Sequence, residues 1–179
     1  KSDMTEIVTA AILVIGDEIL SGRTKDKNIG YIAEYLTNIG IDLKEVRVVA
    51  DDEAAIVEAL NALRDRYTYV FTTGGIGPTH DDITADSIAR AFGVGIGHHP
   101  EVVARFRQRF SEAELNEARL RMARIPDGAE LIQSATILAP GFKIGNVIVM
   151  AGVPSIMQAM LDIVSPKLKS VTKANKNLF

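Results

Sequence analysis

Apolar positions along the chain follow two alternating rhythms. Residues 7–15, IVTAAILVI, form a nearly unbroken apolar run ending at Gly16, the pattern of a short strand covered on both faces. After the polar stretch GDEILSGRTKDK, Ile29, Ile32, Ala33, Leu36 and Ile39 recur at helical spacing, with Asn28 placed as a cap and Gly40 as the stop. The unit then repeats. IDLKEVRVVA, residues 41–50, reads as a strand, and DEAAIVEALNALRDRY, residues 52–67, as a helix that turns Ile56, Val57, Leu60 and Leu63 inward. YVFTT, residues 69–73, is a third strand, followed by a helix over 83–93 with Ile83, Ile88, Ala91 and Phe92 as its stripe. Strands and helices in alternation predict an α/β fold, a mostly parallel sheet covered by helices on both faces.

The second half is less regular. GVGIGHHPE, residues 93–101, reads as a strand end entering a helix, and PEVVARFRQRF, residues 100–110, as that helix. SEAELNEARLRMARI, residues 111–125, predicts another helix, with Ser111 and Glu114 at capping-box spacing. IPDGAELI, residues 125–132, gives a turn and a short strand, APGF at 139–142 a turn, and GNVIVMAGVP at 145–154 a turn, a strand and a loop. A last helix covers 154–164. The apolar pattern then lapses, so one domain is expected over 4–166 with a frayed tail from 167 to 179; Met4 reads as a start residue, with Lys1 to Asp3 outside the fold.

Four polar loops follow strand-like runs: Gly16 to Lys27, Ala50 to Glu53, Thr72 to Asp82, and Ala151 to Ser155. In an open parallel sheet such loops share the carboxyl edge, where ligands bind. Asp17, Asp51 and Asp82 are therefore expected around one cleft. Composition narrows what that cleft serves. With 179 residues, 47% of them apolar, the chain can bury one core, and a net charge of −3 offers nucleic acid or an anionic membrane no electrostatic attraction. The longest apolar run, TAAILVIG, is about half the length of a membrane helix. The absence of cysteine removes disulfides, thiolate metal sites and a cysteine nucleophile, and fits a cytoplasmic protein.

The densest chemistry lies in TTGGIGPTHDDITAD, residues 72–86. Gly74, Gly75 and Gly77 fit either a tight strand-to-helix turn or a loop whose bare backbone approaches an anion. Neither the Walker motif nor the dinucleotide fingerprint is present. Asp82 and Thr84 could cap the helix that starts near Ile83, but Asp17 and Glu18 follow the first strand and Asp51 and Asp52 the second. Carboxylates beside phosphates repel them unless a hard cation lies between, so the constellation points to a Mg²⁺-type divalent ion bridging a phosphate or pyrophosphate. His80 lies inside the loop, as a phosphate donor or a solvent-facing residue, and Ser21 can offer a hydroxyl to a ligand phosphate. His98 and His99 lack metal-ligand spacing. The arginines from Arg105 to Arg124 are offset by Glu101, Glu112, Glu114 and Glu117, as on a solvated face.

VIGDEILSG, VVADD, TTGGIGPTHDDITADSIA, IPDGAELI, APGF and MAGVPSIMQAM together resemble the molybdopterin-binding domain family, most of all the amino-terminal domain of the competence/damage-inducible protein A group. The resemblance runs from about Thr5 to Leu161 and implies a three-layer α/β/α fold of the molybdopterin-biosynthesis type. It implies roles for Asp82 and Asp51 in handling the molybdopterin phosphate, or in metal-dependent hydrolysis of the pyrophosphate of ADP-ribose or FAD. Ligand contacts are expected at Gly16, Glu18, Ser21, Gly22, Thr73, Gly74, Gly75, Gly77, Pro78, His80, Gly152 and Pro154. A divalent cation is expected on Asp82 and Asp51, with Asp17 as a further ligand. The small-molecule partner is a nucleotide or pterin, molybdopterin included, and self-association as a dimer or trimer is expected.

Two segments depart from the group. AGVPSIM has Ala151 and Ile156 where Pro and Glu are common, and SATILAPG has Ser134, Ala135, Ile137 and Leu138 in place of an Asn-Pro-x-Gly-Thr run. Three functions follow: a divalent-metal-dependent nucleotide pyrophosphatase, a protein that binds or adenylylates molybdopterin, and a non-catalytic nucleotide-binding module.

Overall fold

A computed structural model describes residues 7–169 of the chain. In chain order the elements are β1 (Thr9–Ile15), α1 (Asp17–Leu20), α2 (Ile29–Asn38), β2 (Asp42–Val49), α3 (Glu53–Arg66), β3 (Tyr69–Thr73) and α4 (Thr84–Phe92). Then come β4 (Ile96–His98), α5 (Pro100–Arg109), α6 (Glu117–Arg121), β5 (Arg124–Pro126), β6 (Glu130–Ile132), β7 (Gly141–Ile144), β8 (Val147–Met150) and α7 (Pro154–Val164), with a 3₁₀ turn at Ser165–Lys167.

Strand β1 shows why the sheet must be covered twice. Successive side chains of a strand point to opposite faces. Ala10, Ile12 and Val14 enter one buried cluster with Ile32 and Leu36 of α2 and Met157, Met160 and Leu161 of α7. Ala11, Leu13 and Ile15 enter a second with Ile56, Leu60 and Leu63 of α3 and Ile88 of α4. The result is the three-layer α/β/α arrangement that the strand-helix alternation predicts. Sheet order is β2-β1-β3-β8-β7-β6: β1 pairs parallel with β2 and β3, β3 parallel with β8, and the last two pairings are antiparallel. Because β1, β2, β3 and β8 are mutually parallel, the loops at 16–27, 50–53, 72–82 and 151–155 all leave the same edge. No helix among the described residues is long and apolar enough to cross a membrane.

A small antiparallel pair, β4 with β5, carries the rest. Val102 and Phe106 of α5 close over Leu115 and Ala123 in a third apolar cluster. Here several expectations fail. The helix predicted over 111–125 is broken: Ser111 and Glu114 do exchange capping-box bonds, Ser111 N–H to Glu114 Oε1 at 2.8 Å and Glu114 N–H to Ser111 Oγ at 3.2 Å. The turn they close stops at Asn116, whose side chain accepts from Arg119 N–H and starts α6 afresh. APGF is not only a turn, since Gly141 opens β7 and pairs with Ile132 of β6. GDEILSGRTKDK contains a short helical turn at Asp17–Leu20. Asn28 does not cap α2: Asp26 Oδ2 accepts from the backbone N–H of Asn28 at 3.0 Å and of Ile29 at 2.8 Å, freeing the Asn28 amide for another task. Of the expected tail, Leu168 is buried and Lys169 N–H donates to Tyr69 Oη; residues 170–179 lie outside the described residues.

Candidate functional site

The loop after β3 takes its shape from glycine. Gly74 and Gly75 have φ of +96° and +78°, left-handed backbone that other residues adopt only at a cost. Space is as restrictive: a Cβ on Gly74 would lie 2.2 Å from Ile15 O, and one on Gly75 1.9 Å from Thr84 Oγ1. Thr84, fully buried, locks the loop by donating its hydroxyl to Gly74 O at 2.9 Å while its N–H donates to Gly75 O at 3.0 Å. Gly74 N–H is spent on Met150 O at 3.1 Å. Gly74 thus cannot offer its amide to an anion as the sequence pattern suggests. The amides that remain without a hydrogen-bond partner among the described residues are those of Gly75, Ile76 and Gly77. Successive N–H groups around a left-handed residue form a concave anion site.

This loop floors a cleft of about 640 Å³, a volume typical of small-molecule sites. Of the expected contacts, Glu18, Thr73, Gly74, Gly75, Gly77, Pro78, Asp82, Gly152 and Pro154 line it. Gly152 and Gly74 sit against each other, a Cβ on the former lying 3.3 Å from the latter's Cα. Gly16 is buried beneath the rim, hydrogen-bonded through its N–H to Val49 O. Ser21, Gly22 and His80 do not line the cleft: Ser21 Oγ donates to Glu18 O, Gly22 is an exposed turn residue, and the His80 ring points to solvent beside Asp81.

The carboxylates fall into two places. Asp17 and Asp51 interlock, Asp51 Oδ2 accepting from Asp17 N–H and Asp17 Oδ1 from Asp51 N–H, each at 3.0 Å. Neither lines the cleft; Glu18, next in sequence, does. Burial pushes the Asp51 carboxyl above its ordinary value, against the pull of the Asp17 N–H, and the negative charges of Asp17, Glu18 and Asp82 push it further. Asp82, weighed as a cap for α4 against a role in holding a ligand, does not cap the helix and faces backward. Its Oδ2 accepts from Thr79 N–H at 2.8 Å and Thr79 Oγ1 at 2.9 Å, closing the turn before the helix. Ile83 occupies the N-cap with no side-chain bond. Asp52, by contrast, caps α3 through Ala55 N–H at 2.9 Å.

A divalent ion fits this donor set in one form only. Among the described residues no three His, Asp or Glu side chains are grouped to hold a metal, so an all-protein cage is absent there. Mutually repelling carboxylates without a paired lysine or arginine among the described residues suit a hydrated ion held by one or two carboxylates and completed by a ligand's phosphate oxygens.

Several lining residues escaped the sequence pattern. Lys25, Lys27 and Asn28 come from the loop before α2, and Met122, Ile137, Leu138 and Ala139 from the irregular half. The Asn28 Nδ2 donates to Gly152 O at 2.9 Å, tying two rims together, while its Oδ1 is buried without a partner. Basic residues ahead of a helix were visible as the run RTKDK; Met122 gave no signal.

Comparison with known proteins places this geometry. The family model described as "probable molybdopterin binding domain" matches residues 11–170. A protein of Aeropyrum pernix is 36% identical over 165 residues, which cover 89% of this chain and 62% of that one. A CinA-like protein of Citrifermentans bemidjiense is 41% identical over 159 residues, covering 85% and 38%. The chain thus spans about three fifths of the archaeal relative and two fifths of the bacterial one. Among solved structures, CinA of Thermoplasma acidophilum matches with a TM-score of 0.83 at 32% identity, over 90% of this chain and 98% of that one. MoaB of Thermus thermophilus, a molybdopterin biosynthesis enzyme, matches at 0.60 with 19% identity over 90% and 92%, a likeness of fold.

Proposed function

The chain belongs to the molybdopterin-binding domain family and is CinA-like within it, and from that premise we propose that it hydrolyses the diphosphate of a nucleotide of the ADP-ribose or FAD kind. The observation that carries the proposal is the set of unpaired amides at Gly75, Ile76 and Gly77, on the floor of a cleft that also holds Lys25, Lys27 and Asp82. The amides donate to phosphate oxygens, and the two ammonium groups offset phosphate charge. Water adds to one phosphorus, the bridging P–O bond breaks, and two phosphomonoesters leave, AMP being one of them.

Asp82, with the negative charges of Asp51 and Asp17 in support, would hold a divalent ion, which would supply charge neutralisation at the diphosphate. Asp82 keeps Oδ1 without a partner among the described residues, because Thr79 occupies Oδ2 alone. That oxygen can face an ion or take a proton from the incoming water. The Asn28 Oδ1, buried and unpaired on the same wall, is an acceptor for a ligand N–H or O–H.

A second function has its own support. The family model and the molybdopterin biosynthesis enzymes of the same fold favour a pterin phosphate as ligand, bound without hydrolysis. The test is AMP release from ADP-ribose and FAD with Mg²⁺, Mn²⁺ or Co²⁺, alongside equilibrium binding of molybdopterin. Turnover that falls about 100-fold or more in Asp82→Asn, with an unchanged melting temperature, is expected of a phosphate-site carboxylate. Molybdopterin binding without AMP release would select the second function.

A further inference from the structure

The arginines between residues 105 and 124 read in the sequence as a solvated face, and the fold divides them. Arg105 donates to Gln133 and Ser134, Arg107 faces Glu112, Arg119 lies 4.2 Å over the Phe110 ring, and Arg124 holds Asp86 through two nitrogens. Arg109 is exposed. Arg121 is alone among the arginines of the described residues in being half-buried without any hydrogen bond, ion pair or ring contact. An arginine partly withdrawn from water ordinarily finds an anion or a ring to serve.

Arg121 ends α6 and lines a narrow crevice that adjoins the cleft. Gly75, Ile76, Gly77, Asp82 and Met122 line both. The crevice has a volume of about 10 Å³, room for one oxygen-sized atom. Its charged groups are Asp82, Asp86, Arg121 and Arg124. Asp86 and Arg124 satisfy each other, with Arg124 Nη2 donating to Oδ1 at 2.5 Å and Nε to Oδ2 at 3.4 Å. Asp82 is engaged by Thr79 and forms no ion pair with Arg121. The unspent donors around this space are therefore the Arg121 guanidinium and the amides of Gly75, Ile76 and Gly77. A cation in the last turn of a helix also meets the negative end of its dipole. Arg119, in the same turn of α6, already does so, and the dipole gives no reason for Arg121 to border the anion loop.

We infer, resting on the phosphate site proposed above, that Arg121 is a phosphate-binding residue: one non-bridging oxygen of a diphosphate seated on the three amides enters the crevice and accepts from the Arg121 guanidinium. The carboxylates there do not oppose it, since Arg124 offsets Asp86 and the divalent ion offsets Asp82. The unit built from α5, α6 and the β4–β5 pair stands outside the six-stranded sheet, and through Arg121 it contributes to a site otherwise assembled from sheet-edge loops.

Two measurements on the whole chain test this, both with inorganic pyrophosphate and Mg²⁺ as the probe. In the first, phenylglyoxal modifies accessible arginines of the parent with and without saturating pyrophosphate, and mass spectrometry locates the modified residues. Arg121 is expected to react in the free chain and to be protected by pyrophosphate, while Arg23 and Arg109 react alike in both. In the second, calorimetry compares pyrophosphate binding by the parent, Arg121→Met, Arg121→Lys and Arg109→Gln, with melting temperatures confirming the fold. Arg121→Met is expected to bind at least about tenfold more weakly, as loss of a hydrogen bond between charged groups implies. Arg121→Lys should recover part of this, keeping the charge without the planar fork. Arg109→Gln, with the same change in net charge as Arg121→Met, should stay within about twofold of the parent. Arg121 reacting equally with and without pyrophosphate overturns the assignment, as does an Arg121 already inert in the free chain, the behaviour of a guanidinium paired in solution. Arg121→Met binding pyrophosphate like a parent that itself binds would do the same while leaving the phosphate site standing. A parent that binds no pyrophosphate removes the phosphate site, and the role of Arg121 with it.

Discussion

Replacing Gly75 with alanine isolates the device that shapes the candidate site. Gly75 is preferable to Gly74 because the obstacle is different in kind. At Gly74 a new Cβ runs into the Ile15 carbonyl at 2.2 Å, and backbone cannot step aside. At Gly75 it meets Thr84 Oγ1 at 1.9 Å, with Thr84 Cβ next at 3.0 Å, and a hydroxyl can rotate away. The variant should therefore fold, at a definable cost. Holding alanine at the φ of +78° recorded for Gly75 costs about 1–2 kcal/mol. Rotating Thr84 forfeits its bond to Gly74 O, leaving a half-buried carbonyl unpaired, for roughly 1–1.5 kcal/mol more. The sum is about 3 kcal/mol, or a drop of roughly 6–12 °C in melting temperature for a domain of this size. Thr84→Ala serves as the partner in a double-mutant cycle. It loses the same hydrogen bond alone and removes the atom that the new Cβ would strike. The two changes should then fall short of additivity by about 1 kcal/mol, since the Thr84 bond can be lost only once. Calorimetric melts of the four proteins read this directly. A Gly75→Ala protein melting within about 2 °C of the parent, or strict additivity with Thr84→Ala, would refute the account of this loop.

Arg105→Met should lower the melting temperature by roughly 2–8 °C, the cost of about 1–2 kcal/mol for leaving the carbonyls of Ser134 and Ile137 without their donor; limited proteolysis should then cut first in the 134–139 loop. Glu45 supplies a pH test remote from the cleft. The Tyr67 hydroxyl at 2.7 Å, and after it Arg47, hold its carboxyl below the ordinary 4.5, so its contribution is present above that value and is lost as pH falls through the lower folded one. The melting temperatures of the parent and Glu45→Gln should differ at about pH 6 and converge toward about pH 3; a difference that widens in acid would contradict the sign. Tyr67→Phe should weaken the same dependence without abolishing it, because the Tyr67 hydroxyl is the first cause of the shift and Arg47 remains.

Where the sequence was readable, one local rule and one long-range consequence agreed. The run IVTAAILVI could be buried on both faces only in a covered sheet, and β1 is flanked by helices whose inward positions followed the 3.6-residue stripe. Parallel pairing then placed the loops of Gly16, Asp51, Gly74 and Gly152 on one edge without further information. Legibility failed where a residue had two local uses. Ser111 and Glu114 made the capping box their spacing promised, but Asn116, three residues before Arg119, capped a fresh start, so the expected helix is split into a turn and α6. The turn signal Ala139-Pro140-Gly141 was real, yet its glycine also begins β7, where a Cβ would strike Val149 O at 2.4 Å. Asp82 was weighed as cap against ligand holder, and its Oδ2 took a third course, the Thr79 turn.

That last outcome bears on the site itself. A carboxylate engaged through one oxygen, at the end of a turn that starts at the anion loop, is held in place without being used up. Asparagine can keep the bonds from Thr79 through its own carbonyl oxygen, so Asp82→Asn removes charge and little else. The same holds for Asp17 and Asp51, each of which commits one oxygen to the other's backbone N–H. Three carboxylates are thus oriented by backbone and hydroxyl donors, with no lysine or arginine paired to them among the described residues. Of the three, Asp82 brings its negative charge to the cleft itself, while burial first, and after it the charges of Asp17, Glu18 and Asp82, raise the Asp51 carboxyl beside it.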